Sequence, residues 1–391
     1  MQDERIGEEI EKVDELVASL TRYRATLQRA ANSPKPIHRL PPEILIEIFL
    51  HLCHQSAESL TSLPETASPG PSESTPAPTK NGLVHVPPVV TPLFLGSICS
   101  YWRAIIWSTP LLWCNINLPI TSKLGASQLS ILREWLLRAR EKPLHIKLLT
   151  PADAPEGAKA FASLHAVLRV LMERSAYWDS IDCVLPTACH GLLRCGELDG
   201  SCPGEPRFPR LRKVAFRPPK GLLASYTPPD MLEALSMPML QDVELSGYTN
   251  AIPTLPWTQL RTLKIHISKK DECADILSKC PNLESLDITP LDNTSAYHFS
   301  SSVPPLPSQH PLALPRNCVH NTLRRLSLTF TKTTTLSLLN TLTLPALCSL
   351  SLSNPSTDRI PLDPISSLVA RSACPLTPLS LCSSGSHFNE T

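Results

Sequence analysis

Residues 37 to 49 read IHRLPPEILIEIF, and this stretch is the most informative part of the chain. Pro42 suits the first position of a helix, because its ring presets φ and its missing N–H would have had no partner there. Glu43 places a carboxylate at the positive end of the helix dipole. Large apolar residues then recur at helical spacing, namely Ile44, Leu45, Ile48, Phe49 and Leu52. The stretch predicts an extended lead-in followed by a proline-initiated helix that is apolar on one broad side.

A second helix of similar character is predicted about forty residues further on. Its apolar face comprises Leu95, Ile98, Cys99, Trp102, Ile105 and Ile106. Pro110 cannot continue a helix, so the helix is expected to end before it. From periodicity alone, the two segments are amphipathic helices of a small helical domain.

The amino-acid residues of the two segments also show a family resemblance. Residues 40–45, LPPEIL, followed by residues 98–103, ICSYWR, closely resemble the F-box, in particular the F-box-like proteins abundant in mushroom-forming fungi. The resemblance extends over residues 6–54 and 92–352. It implies a three-helix module that docks on the Skp-type adaptor of a cullin–RING ubiquitin ligase. Carried over by position, the adaptor-binding residues are Leu40, Pro41, Pro42, Ile44, Ile48, Cys99 and Trp102.

Two regions surround the first predicted F-box helix. Residues 1–32 predict an amphipathic helix with a heptad-like seam at Ile6, Ile10, Val13, Val17, Leu20 and Leu27, completed by Arg24 and Ala31. This helix either forms a coiled coil or packs on its own F-box-like domain, residues 33–118. Residues 55–91 are rich in Ser, Thr and Pro, so we expect a disordered insertion between the F-box helices.

Helix and strand patterns alternate beyond residue 119. Residues 129–136 and 164–172 predict helices, and residues 143–148 and 178–184 predict strands. The pattern Leu-x-x-apolar-x-apolar then occurs seven times, beginning at Leu211, Leu240, Leu260, Leu283, Leu323, Leu347 and Leu376. Most of these starts are separated by the spacing of leucine-rich repeats. We therefore predict an irregular leucine-rich-repeat α/β solenoid with parallel strands over residues 119–382, preceded in several repeats by helices, as at residues 231–235, 273–279 and 336–342.

The predicted fold class is consequently α+β in several parts, with a disordered tail at residues 383–391. Proline is unusually frequent, 41 of 391 residues, which favours linkers and often-restarted elements over one compact enzyme domain. The net charge of +1 gives no field suited to nucleic acid. No apolar stretch approaches the length of a membrane span and no secretory signal is visible, so we expect a cytoplasmic or nuclear protein without membrane contact.

Catalytic and metal-binding signatures are weak. The sequence has no Gly-rich phosphate loop, no G-x-S-x-G and no H-E-x-x-H. Cys183, Cys189, His190, Cys195 and Cys202 match no common zinc spacing, and we interpret their thiols as buried or loop residues. His51 and His54 are expected at a solvated helix C-terminus. Five of the six tryptophans, at 102, 107, 113, 135 and 178, are interpreted as packing groups.

The leading hypothesis is therefore a non-enzymatic interaction protein without cofactor or metal. As the resemblance implies, the chain is a substrate-receptor subunit whose F-box binds the adaptor and whose repeats bind an unknown target protein. The alternative is a leucine-rich scaffold, outside any ligase, whose F-box-like helices pack on its own solenoid.

Overall fold

A computed structural model describes residues 2–32, 34–59, 90–120, 126–149, 158–184, 189, 208–217, 237–245, 255–267, 270–290, 318–330, 333–354 and 360–383. The chain forms two compact units. The first comprises Met1–Cys114 with Glu134–Lys142, and the second comprises Asn115–Arg133 with Pro143–Thr391. The main division therefore falls after Cys114, whereas the sequence placed it after residue 118.

The first unit is helical. Helix α1 spans Gln2–Asn32, α2 Pro42–Ser59, α3 Pro92–Ile98 and α4 Ser100–Ser108, with short 3-10 helices at Pro36–Arg39 and Pro110–Trp113. The predicted N-terminal helix and the start of the next helix at Pro42 are confirmed, as is the helix end before Pro110. Helix α2 continues to Ser59, so the predicted insertion does not begin at residue 55, and His51 and His54 lie within the helix and not at its C-terminus. Residues 60–89 of that insertion lie outside the described residues.

The single helix predicted across residues 95–106 is wrong, because it is interrupted at Cys99. Cys99 is extended, with φ −155° and ψ 165°, and its Sγ accepts a hydrogen bond from the backbone N–H of Trp102 at 3.4 Å. A short acceptor side chain in this conformation caps the new helix and ends the previous one. The apolar period is continuous through the break, which is why the sequence suggested one helix.

The second unit is built on a ten-stranded parallel sheet. Its strands follow one another in chain order, except that β8 and β10 pair separately in a two-stranded sheet. The bounds are β1 Asn115–Pro119, β2 Leu144–Leu149, β3 Trp178–Val184, β4 Lys213–Arg217, β5 Asp242–Leu245, β6 Thr262–Ile267, β7 Ser285–Pro290, β8 Cys318–Val319, β9 Arg325–Thr329, β10 Leu342–Thr343, β11 Ser349–Asn354 and β12 Leu379–Ser383.

All seven repeat motifs lie on strands of this sheet and in one register. The fourth residue of each motif is paired with its counterpart on the next strand, along the row Val214, Val243, Leu263, Leu286, Leu326, Leu350 and Leu379. Alternate residues from β4 to β11 are buried on one side of the sheet. The prediction of parallel strands is therefore confirmed. Strands β1, β8 and β10 were not predicted.

Four further α-helices are described, α5 Ala126–Ala139, α6 Ala158–Met172, α7 Lys270–Lys279 and α8 Asp363–Ser372. The helices predicted near residues 129–136, 164–172 and 273–279 are confirmed. Residues 333–341 form a 3-10 helix where the sequence predicted an α-helix at 336–342, and the helix predicted at 231–235 lies outside the described residues. No helix within the described ranges has the length and apolar character needed to cross a bilayer.

The C-terminal boundary differs from the prediction by one residue. Ser383, expected to begin the disordered tail, is the last residue of β12 and is paired with Asn354. Residues 384–391 lie outside the described residues.

Candidate protein-interaction site

Helix α2 divides its apolar side chains between the core and solvent. Leu45 and Phe49 are fully buried, whereas Ile44 is 48% exposed and Ile48 is 39% exposed. Residues four apart lie on the same face of a helix, so Ile44 and Ile48 form a short aliphatic row beside the buried stripe.

The chain enters α2 through an exposed proline pair. Pro41 and Pro42 are exposed, and Leu40 before them is half-buried and extended. The Pro41 carbonyl accepts hydrogen bonds from the N–H groups of Ile44 and Leu45, at 3.1 and 3.2 Å. The prolines therefore fix the start of the helix while their rings stay accessible next to Ile44.

The two remaining predicted site residues also hold the unit together. The Trp102 ring lies 4.8 Å from the ring of Phe49, with an interplanar angle of 55°. Its indole Nε1 is buried and has no hydrogen-bond partner among the described residues. Cys99 caps α4 through its sulfur. Both side chains remain half-buried, so their contacts within the unit leave part of each accessible.

The structure adds exposed apolar residues that were not among the predicted adaptor-binding residues, one of which, Ile98, the sequence had placed on the apolar face with Leu95. They are Ile37, Leu93, Phe94, Ile98 and Tyr101. Tyr101 lies close to the proline-rich lead-in, since its ring centroid is 5.6 Å from that of His38. The signal was present in the sequence, because Leu93 and Phe94 directly follow Pro92, but the apolar period had been followed only from Leu95. We call these five residues, with Pro41, Pro42, Ile44 and Ile48, the exposed apolar set.

A tight contact holds α3 and α4 together beneath these residues. Gly96 is buried, and a Cβ atom at this position would collide with the Trp107 indole. The Arg103 Nε donates a hydrogen bond to the Gly96 carbonyl at 2.8 Å. The backbone of α3, which carries the exposed Leu93 and Phe94, is therefore packed closely against α4.

The tryptophans of the first unit are packing groups, as predicted. Trp113 packs edge-on against Trp107 and Trp135, with ring centroids 5.2 and 5.0 Å apart. The Trp113 indole donates to the Ile106 carbonyl at 2.9 Å, and that of Trp135 donates to the Trp113 carbonyl at 2.7 Å. The guanidinium of Arg138 lies 4.8 Å from the Trp107 ring, a cation–π arrangement.

In the second unit, the open face of the sheet carries a row of alternating charges, which we call the ion ladder. It runs from β2 to β7 through Lys147, Asp182, Arg217, Glu244, Lys264 and Asp287. Arg217 bridges Asp182 and Glu244. Burial disfavours its charge, but hydrogen bonds and attraction to these carboxylates raise the pKa of Arg217 overall. The charges of this section therefore satisfy one another.

On this face of the sheet, the side chains in register with the ion ladder change after β7 from charged groups to hydroxyl groups. The positions in register with Asp287 are Ser327, Ser351 and, on β12, Ser380. Thr329 and Ser353 lie two residues further along the same face. This section presents hydroxyl groups, which form hydrogen bonds with a range of partners.

A pocket of about 570 Å³ opens near the beginnings of β5, β6, β7 and β9. Nine of its ten lining residues have polar or charged side chains, and Arg261 is paired to Glu284 at 3.2 Å. The remaining lining residues are Gln241, Thr258, Gln259, Asn282, Asn321, Thr322, Arg324 and Ala346.

The thiols proposed as buried residues behave accordingly where the structure describes them. Cys183 and Cys189 are buried, and burial raises the pKa of the Cys189 thiol to about 11 and raises that of Cys183 as well. Both are therefore protonated near neutral pH. His190, Cys195 and Cys202 lie outside the described residues. Within the described part of the chain, no group of three or more His, Cys, Asp or Glu side chains is placed to hold a metal ion.

No protein-family model matches the chain, and no curated protein matches it.

Proposed function

We propose that this chain is a substrate-receptor subunit of a Skp–cullin–F-box ubiquitin ligase, acting in the cytoplasm or nucleus. Helices α2, α3 and α4 dock on the Skp-type adaptor, and the parallel sheet binds a target protein. The chain itself performs no chemistry, so ubiquitin transfer gains its rate from holding the target close to the charged enzyme.

The observation that carries the proposal is the exposed aliphatic row of Ile44 and Ile48, next to Pro41 and Pro42. These residues coincide with the segment that resembles the F-box, and they remain open while Leu45 and Phe49 fill the core. Burying an aliphatic side chain contributes about 1.5–3 kcal/mol. Because Ile44 and Ile48 are each only about half exposed, covering both supplies about 1.5–3 kcal/mol in total, so the rest of the docking energy must come from the other contact residues. Leu40, Cys99 and Trp102 complete the proposed contact, with Phe94 and Ile98 as additions from the exposed apolar set.

The double variant Ile44→Asp/Ile48→Asp tests the docking surface. We expect at least a hundredfold weaker binding to recombinant Skp-type adaptor, because two carboxylates would lose their hydration in the interface. The measurement is isothermal titration calorimetry with purified full-length chain. Pro41→Ala with Ile44→Asp should likewise abolish co-purification with the adaptor.

Leu137→Asp is the matched control, because Leu137 is also an exposed apolar residue of the first unit but belongs to α5. It should bind the adaptor like the wild type. Separate elution of wild-type chain and adaptor from a sizing column would contradict the proposal and favour the scaffold alternative. Equal affinity of the double variant and the wild type would reject the docking surface.

For target binding, the hydroxyl-bearing section of the sheet is the better candidate than the ion ladder. The ladder's charges are already paired, and separating them to bind a target would cost their mutual interactions. Ser327 and Ser351 are neighbours in register and only half-buried.

The variant Ser327→Arg/Ser351→Arg tests this assignment, since two bulky cations would cover the section. We expect the affinity for the adaptor to be unchanged. When a proximity-labelling enzyme is fused to the chain, we expect the target proteins to disappear from the set of labelled proteins. An unchanged labelling profile would exclude this section as the target site.

A further inference from the structure

The seam of helix α1 is open to solvent along its length. Ile6, Ile10, Val13, Val17, Leu20 and Leu27 are each between 53% and 58% exposed. Leu16 and Tyr23, which flank the seam, are exposed to a similar degree. Of the two alternatives that the sequence left open, this exposure does not support packing of the stripe on the F-box-like domain.

Charge is distributed unequally along the same helix. Residues 5–16 carry five carboxylates and two cations, a formal charge of −3, whereas residues 17–31 carry three arginines and no carboxylate, a formal charge of +3. Two such helices side by side in parallel would place like charges together over both halves. The antiparallel arrangement places each acidic half against a basic half, which is the favourable order.

We propose that two copies of this chain associate through their α1 helices as an antiparallel coiled coil. The helix has 31 residues and is about 46 Å long, which accommodates four heptads. Centring the pair near residue 15 places Ile10 of one copy opposite Leu20 of the second, and Val13 opposite Val17. This inference is independent of the proposed ligase function.

The seam residue Arg24 supports the antiparallel direction. In a parallel pair, the two Arg24 side chains would meet at the same seam layer and repel each other. In the antiparallel pair, Arg24 lies level with Ile6 of the second copy, within one turn of the acidic residues Glu8 and Glu9 there. A cation that is unfavourable in one arrangement thus becomes an electrostatic contact in the other.

The first measurement is the mass of the full-length chain by light scattering at about 0.01 M salt, where charges interact over about 30 Å. We expect twice the 42.9 kDa of one chain. Val13→Asp/Val17→Asp should return the mass to that of one chain, because it places carboxylates at the centre of the seam. Far-ultraviolet circular dichroism checks that the rest of the chain stays folded.

Charge reversal separates the two directions. The variant Arg22→Glu/Arg24→Glu/Arg29→Glu makes both halves acidic and should weaken the dimer at least tenfold. Adding Glu9→Lys/Glu11→Lys/Asp14→Lys to it gives halves of +3 and −3, the mirror image of the wild type, and should restore the dimer.

A mixture of wild type and this six-site variant completes the test. The antiparallel arrangement predicts two kinds of homodimer and no mixed dimer, since like charges would meet in the mixture. A mixed dimer would show parallel pairing and overturn the proposal. If the wild type has the mass of one chain at 50 µM, the proposed dimer is also overturned. The α1 seam would then be expected to bind a different protein.

Discussion

Gly96 shows how the absence of a side chain determines the packing of the first unit. The indole of Trp107 occupies the space that a Cβ at residue 96 would need. We expect Gly96→Ala to lower the free energy of unfolding by about 1–3 kcal/mol, because overpacking forces neighbours away from their preferred positions. Urea denaturation followed by tryptophan fluorescence measures it.

Gly7→Ala is the matched control, since nothing lies within 4 Å of the position that its Cβ would occupy. Alanine favours a helix interior over glycine by about 0.5–1 kcal/mol, so this variant should be neutral or slightly stabilising. Equal stability of the two alanine variants would show that the Trp107 indole moves away from the new methyl group without a loss of folding stability.

Individual residues were predictable where one physical cause determined their place. Pro42 begins α2 because proline suits the first helical turn and little else in a helix. Cys99 was not predictable as a helix cap, because cysteine is an uncommon capping residue and the apolar period runs through it unbroken. The exposure of Ile44 and Ile48 also could not be derived from spacing, since a buried and an exposed isoleucine follow the same helical period.

At the scale of elements, the ion ladder makes a measurable contribution to the sheet. Arg217 lies between Asp182 and Glu244, so Arg217→Met would leave two carboxylates without their shared cation. Because these side chains are partly exposed, water screens part of the repulsion. We expect about 1–2 kcal/mol of lost stability by urea denaturation, smaller in 1 M salt.

Arg261→Met is the comparison variant, because Arg261 forms a single, more exposed ion pair with Glu284. Its loss should cost less than about 0.5 kcal/mol. A smaller effect at Arg217 than at Arg261 would mean that the ladder adds nothing beyond isolated surface pairs.

The strands of the repeats were predictable because burial on a parallel sheet follows a strict period of two. Each Leu-x-x-apolar-x-apolar motif therefore identified its strand and the side that faces the core. Strand β1 was not predicted because it has only five residues and follows a 3-10 helix. Helix α5 also separates it in sequence from its partner strand β2. The end of α2 was misplaced because the polar residues before Ser59 resemble the proline-rich stretch that follows.

At the scale of the molecule, the two units differ in the surfaces that they offer. The first has exposed apolar residues on its helices, and the second has a polar sheet face that carries the ion ladder. This contrast is consistent with the proposed function, in which each unit binds a different partner. The sequence indicated both units, but the hydroxyl-bearing section of the sheet became visible only once the strands were placed in register.

The last strand of the large sheet has one further consequence. Leu379 and Leu381 of β12 are nearly half exposed, although their counterparts Leu350 and Leu352 on β11 are fully buried. A stacked array opens most easily where a unit has only one neighbour. Backbone amides should thus exchange with deuterium fastest in β12 and slowest in β5 to β7, so that the array unzips from its carboxyl end. Equal protection of β12 and β6 by mass spectrometry would mean that the whole array opens as one unit.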